Sequence, residues 1–85
     1  MALYFLSYDL RKARDYQTLY AELAKFNAIR FLESDWAFKR INTTAAALRD
    51  YFRQFIDAVD GLMVSEIVDG AWAGWKLIGD PNKLP

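Results

Sequence analysis

The 85-residue chain contains no cysteine and no histidine, only two prolines and four glycines, and no net charge. Without cysteine there is no disulfide frame, no thiolate nucleophile and no cysteine–zinc site. Without histidine there is no imidazole base, and so no Ser-His-Asp or Cys-His pairing within the chain. Scarce glycine and proline, beside 54% hydrophobic and 26% charged residues, speak against a disordered or fibrous chain. No apolar run approaches the roughly 18 residues needed to span a bilayer, so no membrane association is expected. The apolar start, Ala2 to Leu6, lacks both a charged leader and a small-residue cleavage site. It reads as a strand and not as a secretory signal, which points to the cytoplasm.

A chain of this length makes one domain, residues 1–85. Its eleven basic and eleven acidic residues balance, whereas a dedicated nucleic-acid binder usually carries a basic excess. The distribution is less even. Residues 1–40 hold seven basic and five acidic groups, and residues 41–85 hold four and six. A polyanion site therefore belongs in the first half.

Residues 2–8, ALYFLSY, form an apolar and aromatic run that suits a strand buried on both faces. Asp15 is a candidate helix cap. Behind it Tyr16, Leu19, Tyr20, Leu23 and Phe26 recur at helical spacing, with Asn27 as the stop. IRFLES and DWAFKRI read as two strands meeting near Ser34 and Asp35. Asn42-Thr43-Thr44 caps a second helix that carries Leu48, Phe52, Phe55, Ile56 and Val59 on one side and runs to Asp60-Gly61. LMVSEIV is a last strand closed by Asp69-Gly70, and the tail ends in punctuation that argues for a free terminus.

The order βαββαβ plus a tail predicts an α+β, ferredoxin-like fold: a four-stranded antiparallel sheet with two helices on one face. Residues 1–69 make that core, and residues 70–85 make a Trp-bearing C-terminal extension. With the first and third strands taken as parallel central neighbours, Asp9 gathers with Arg11, Lys12, Arg14, Arg30, Lys39 and Arg40 at one edge, a carboxylate inside a basic rim. Two helices cover only one face of a first strand that is apolar on both. The other face needs the tail or a second subunit, and a homodimer is expected, with Tyr4, Leu6, Tyr8, Trp72 and Trp75 as interface residues.

A strand ending Ser7-Tyr8-Asp9, a helix with Leu19 and Leu23, and Ile29-Arg30-Phe31-Leu32-Glu33-Ser34 resemble the small CRISPR adaptation nuclease family, CRISPR-associated protein two. The spacing through SYDL, DYQTLY, LESDW, TTAAALRDYF, the Asp57–Gly61 turn and GAWAGW is closer still to the uncharacterised bacterial and phage proteins called SinR-like. Those share a superfamily with the virulence-associated protein D ribonucleases. The resemblance spans about residues 3–78. It implies a dimer in which Asp9 of each chain faces its mate across the two-fold axis and holds Mg²⁺ or Mn²⁺ for endonucleolytic cleavage of RNA or DNA. One carboxylate per chain suffices in principle, because Mg²⁺ is often bound by one or two carboxylates plus substrate phosphates.

Each of these residues also has a plainer role. Asp9 is a turn residue satisfying backbone N–H groups, the 11–14 cluster is a solvated turn, and the tail tryptophans cover apolar surface rather than stack on bases. Three functions therefore stand open: a metal-dependent nuclease, a non-catalytic dimeric adaptor for nucleic acid or protein, and a toxin or phage-defence component.

Overall fold

The computed structural model describes residues 1–12 and 15–85. Its elements follow in the order β1 (Ala2–Asp9), α1 (Gln17–Lys25), β2 (Ile29–Leu32), β3 (Asp35–Arg40), α2 (Ala45–Phe52) and β4 (Gly61–Ile67), with short 3-10 turns at Arg53–Phe55, Val68–Gly70 and Pro81–Lys83. The sheet order is β2-β3-β1-β4 with every pairing antiparallel, and the fold is the expected ferredoxin-like one.

One expectation about that sheet is overturned. β1 and β3 are central neighbours but antiparallel, with Ala2 opposite Arg40 and Ser7 opposite Asp35. In a split βαβ the crossover through α1 makes β1 parallel to β2. The tight β2–β3 turn then reverses the chain, so β3 must run against β1. The ends of β1 and β3 therefore lie at opposite edges of the sheet.

Alternation along β1 divides its side chains between two cores. Tyr4, Leu6 and Tyr8 point to the helices and are buried with Tyr16, Leu19 and Leu23 of the first helical region, Phe38 of β3, and Leu48 and Phe52 of α2. These three tyrosine and leucine side chains, expected at a subunit interface, instead fill this chain's own interior, with exposures of 1%, 0% and 8%. Leu3 and Phe5 point the other way, against a second cluster of Phe31, Ala37 and Leu84 flanked by Ile29 and Leu77.

The tail is the cover of that second face. It is not a free terminus: Pro81 and Leu84 are buried, and the Ile78 amide donates to the Phe31 carbonyl at 3.0 Å. Trp72 lies edge-on to Phe5, with ring centres 6.1 Å apart, whereas Trp75 is 82% exposed. The tail approaches so closely that a Cβ placed on Gly79 would sit 2.2 Å from the Arg30 carbonyl oxygen. Only glycine fits there.

Both helices start close to their sequence signals, and α1 also stops at its own. Asp15 accepts from the Gln17 amide at 2.9 Å, one residue before the cap position at Tyr16, and Asn27 closes α1 in the left-handed region at φ 54°. The Thr44 hydroxyl caps α2 by accepting from the Ala47 amide at 3.1 Å. α2 itself is shorter than its apolar spacing suggests. Beyond Phe52 it tightens into a 3-10 turn, Ile56 is extended, and Val59 is half exposed. The cause is Asp60, whose carboxylate accepts from the Asp57 amide at 2.7 Å and draws the chain into a turn before β4.

Between the helices, Glu22 of α1 accepts from the Tyr51 hydroxyl and from Lys25 Nζ, the latter at 2.9 Å. The Tyr51 bond, and after it Lys25, hold the Glu22 carboxyl below its ordinary value. A carboxyl lowered by folding stabilises the fold above its ordinary pKa, and that stabilisation is lost as pH falls through the folded value. In urea titrations, Glu22→Gln should be less stable than the parent near neutrality and should lose less on acidification below about pH 4. Gly79→Ala should cost about 1–3 kcal/mol and change the tryptophan emission, as the tail is pushed off Arg30. An unchanged urea midpoint would show that the packing of the tail on β2 does not contribute.

Candidate nucleic-acid interface

The C-terminal end of β1 meets the β2–β3 turn at an open cleft of about 240 Å³ lined by Tyr8, Asp9, Leu10, Tyr20, Arg30, Glu33 and Ser34. The cleft follows from the topology. β1 and β2 are parallel, so the end of β1 and the turn after β2 share one edge, and the Tyr8 amide donates to the Ser34 carbonyl at 3.1 Å. Asp9 and Arg30 thus come together, and Ser34 joins them from the turn. Ser34 is both a turn residue and a wall of the cleft.

Arg30 is held from several sides. Its Nε donates to the Glu33 carbonyl at 2.8 Å and its Nη2 to the Tyr8 hydroxyl at 3.2 Å. Its guanidinium carbon lies 5.4 Å from the centre of the Tyr20 ring and 5.3 Å from that of Trp36. Two of five N–H donors are engaged in these bonds, and three remain. Among the described residues no carboxylate pairs with this arginine. A cation fixed by neutral partners keeps its charge for a ligand, and a planar fork matches phosphate geometry.

The Tyr8 hydroxyl organises that fixation. It accepts from Arg30 and from Trp36 Nε1 at 3.1 Å, and it donates to the Glu33 carbonyl at 3.4 Å. Burial keeps the phenol above its ordinary pKa despite the opposing pull of Trp36 and Arg30. It stays protonated at neutral pH and works as a hydrogen-bond hub, not as a base.

The other basic residues divide. Arg11 turns away from the cleft: its Nε binds Asp9 Oδ2 at 3.0 Å, its Nη1 donates to the Val59 carbonyl at 2.9 Å, and its amide donates to Asp60 Oδ1 at 2.6 Å. It ties the β1 end to the turn before β4. Lys12 is exposed and forms no ion pair among the described residues, and Arg14 lies outside those residues. Lys39 and Arg40 are not part of this edge. They stand opposite Leu3 and Ala2, about 20 and 24 Å along β1 from Asp9 at a strand's usual rise. Arg40 stacks there on Phe26, 3.8 Å from the ring centre. The expected single basic rim is two separate groups.

Asp9 is 70% exposed at the cleft mouth, with Arg11 already on its carboxylate. Among the described residues no three acidic side chains converge on a metal position. Arg11 Nε occupies Asp9 Oδ2, and an ion at this carboxylate would take its remaining ligands from a second chain, substrate phosphates or water.

Asp60 is the residue that sequence reasoning passed over as a helix stop. Its Oδ2 accepts from the Tyr16 hydroxyl at 2.7 Å as well as from the Asp57 amide, while Oδ1 takes the Arg11 amide. The Asp-x-x-Asp-Gly spacing was the available signal. A wider surface depression, about 790 Å³, lies beside α2, but Arg49 and Arg53 in it are both engaged by Asp50.

In urea unfolding, Asp60→Ala should cost about 2–4 kcal/mol, because three donors lose their acceptor. Asp9→Ala should cost less than about 1 kcal/mol, the usual scale of an exposed ion pair. Equal losses would contradict this assignment of roles. A scan against protein-family models finds no match, and neither does a search of the solved structures.

Proposed function

We propose that the protein binds nucleic acid without cleaving it, holding a phosphate of the backbone at the cleft between the end of β1 and the β2–β3 turn. The observation that carries this reading is Arg30: a guanidinium fixed by Tyr8, Glu33, Tyr20 and Trp36, with free donors and no carboxylate partner among the described residues. Lys12 adds charge near the same edge, and the Tyr20 ring offers an aromatic face beside the cleft. Overall neutrality limits non-specific attraction, so the affinity should depend on few contacts and fall shallowly with salt.

A cleavage step has little support from this chain. It has no imidazole, Tyr8 remains protonated, and Asp9 is neutralised by Arg11. This favours the adaptor among the functions implied by the resemblance.

The test is fluorescence anisotropy with labelled single- and double-stranded RNA and DNA. Arg30→Lys, which keeps the charge and loses the fork, should weaken binding about three- to tenfold; Lys12→Ala should weaken it about two- to threefold and lower the salt slope by about 1. Lys39→Ala, at the other end of the sheet, should leave it unchanged. Absence of binding to every probe would overturn the proposal. Cleavage that requires Mg²⁺ and disappears in Asp9→Asn would replace it with the nuclease reading.

A further inference from the structure

Among the described residues, one edge of the sheet is covered and the other is bare. β2 receives the tail through the Ile78–Phe31 hydrogen bond and the close approach of Gly79. β4 pairs with β1 alone. Four of its seven residues, Leu62, Met63, Val64 and Ile67, are large and apolar, yet none of the seven is buried, and Met63 is 62% exposed. Natural edge strands are usually blunted by proline, lysine, a bulge or a covering segment. β4 has no proline and no basic residue, and its register with β1 runs unbroken from Leu3–Ile67 to Asp9–Gly61.

We propose that β4 pairs antiparallel with β4 of a second copy of this chain, about a two-fold axis through Val64, joining two four-stranded sheets into one of eight. The strand is self-complementary in this register. Val64 meets its counterpart, Met63 meets Ser65, Leu62 meets Glu66, and Gly61 meets Ile67. Glu66, the strand's one charge, faces an apolar residue and never itself, so no like charges oppose. The register engages all seven residues. It also pairs helix-side positions with helix-side positions, which a one-residue slip would not. The interface is isologous, as a closed dimer requires.

This dimer is independent of phosphate binding in the cleft. It has one consequence for Asp9, which pairs with Gly61 three residues from the axis and one strand further out. The two Asp9 residues would stand about 25 Å apart by strand geometry, too far to share a metal ion.

Light scattering at tens of micromolar should give about twice the 9.9 kDa of one chain. The chain has no native cysteine, so Val64→Cys reports on the axis alone. Directly opposed antiparallel residues have Cα atoms about 4.5–5.5 Å apart, within disulfide reach, and mild oxidation should yield a covalent dimer. The double variant M63K/S65K, at positions away from the helix-side core, should be monomeric. M63E/S65K, which sets opposite charges across the axis, should dimerise again. A monomeric parent protein would overturn the proposal, and so would a dimer in which Val64→Cys fails to cross-link.

Discussion

β1 is hydrogen-bonded along both edges, to β3 and to β4, and its side chains alternate between two apolar clusters. Every other element takes its place from that strand. The helices cover Tyr4, Leu6 and Tyr8, the tail covers Leu3 and Phe5, and the polar residues that follow the strand must emerge at one edge. A register slip of one residue would exchange the two faces and put a tyrosine-rich row under a tail too small to cover it. The Tyr8 hydroxyl, at the last buried position, is the point where this packing becomes polar. It needs partners, and it finds them in Arg30, Trp36 and Glu33. The cleft is thus a product of satisfying a buried phenol at the end of a central strand.

Much of the fold was legible because local and global signals agree. Apolar runs, the Thr44 cap, the left-handed Asn27 and the turn at Ser34 each mark a boundary that the structure keeps within a residue or two. Strand polarity was not visible in the same way. It is a property of connectivity: α1 carries the chain back to begin β2 parallel to β1, and the following turn reverses it. A misassigned direction for β3 gathered Lys39 and Arg40 beside Asp9, whereas the register sends them to the far end. Arg30 reaches the Tyr8 end of β1 because β2 is parallel to β1 and only four residues long.

The arginines show why residue type alone could not identify the site. Arg11 and Arg30 both lie near the end of β1. The Arg11 guanidinium meets the Asp9 carboxylate and the Val59 carbonyl, its amide meets the Asp60 carboxylate, and its charge is absorbed by the fold. Arg30 meets a phenol, a carbonyl and two aromatic rings, which orient it without neutralising it. The difference lies in long-range partners, with Val59 and Asp60 on one side and Tyr8 on the other. No spacing rule along the sequence contains them. Asp60 is the mirror case: a residue that looks like a helix stop is the acceptor that ties the chain after β1, the start of α1 and the turn before β4 together.

A small domain with more than half of its residues hydrophobic has more apolar surface than two short helices can bury. This chain covers the excess on two faces and leaves more of it at one edge. The helix-side face is sealed by long side chains in close contact. The opposite face is sealed partly by the tail, residues 70–85, which lies closest to the sheet where a glycine permits it, at Gly79. A groove of about 210 Å³ bounded by Phe5, Ser7, Met63 and Ser65 is left beside the tail. That groove runs to the β4 edge, where Met63 is already the most exposed apolar residue of the strand. The tail leaves β4 through the Asp69-Gly70 turn, where both residues adopt left-handed backbone, and crosses to β2. By closing one edge it leaves unpaired backbone and exposed apolar side chains together on the other. Solvation of the β4 backbone by water and pairing with another strand satisfy those groups comparably, but only pairing also removes Met63 and its neighbours from solvent.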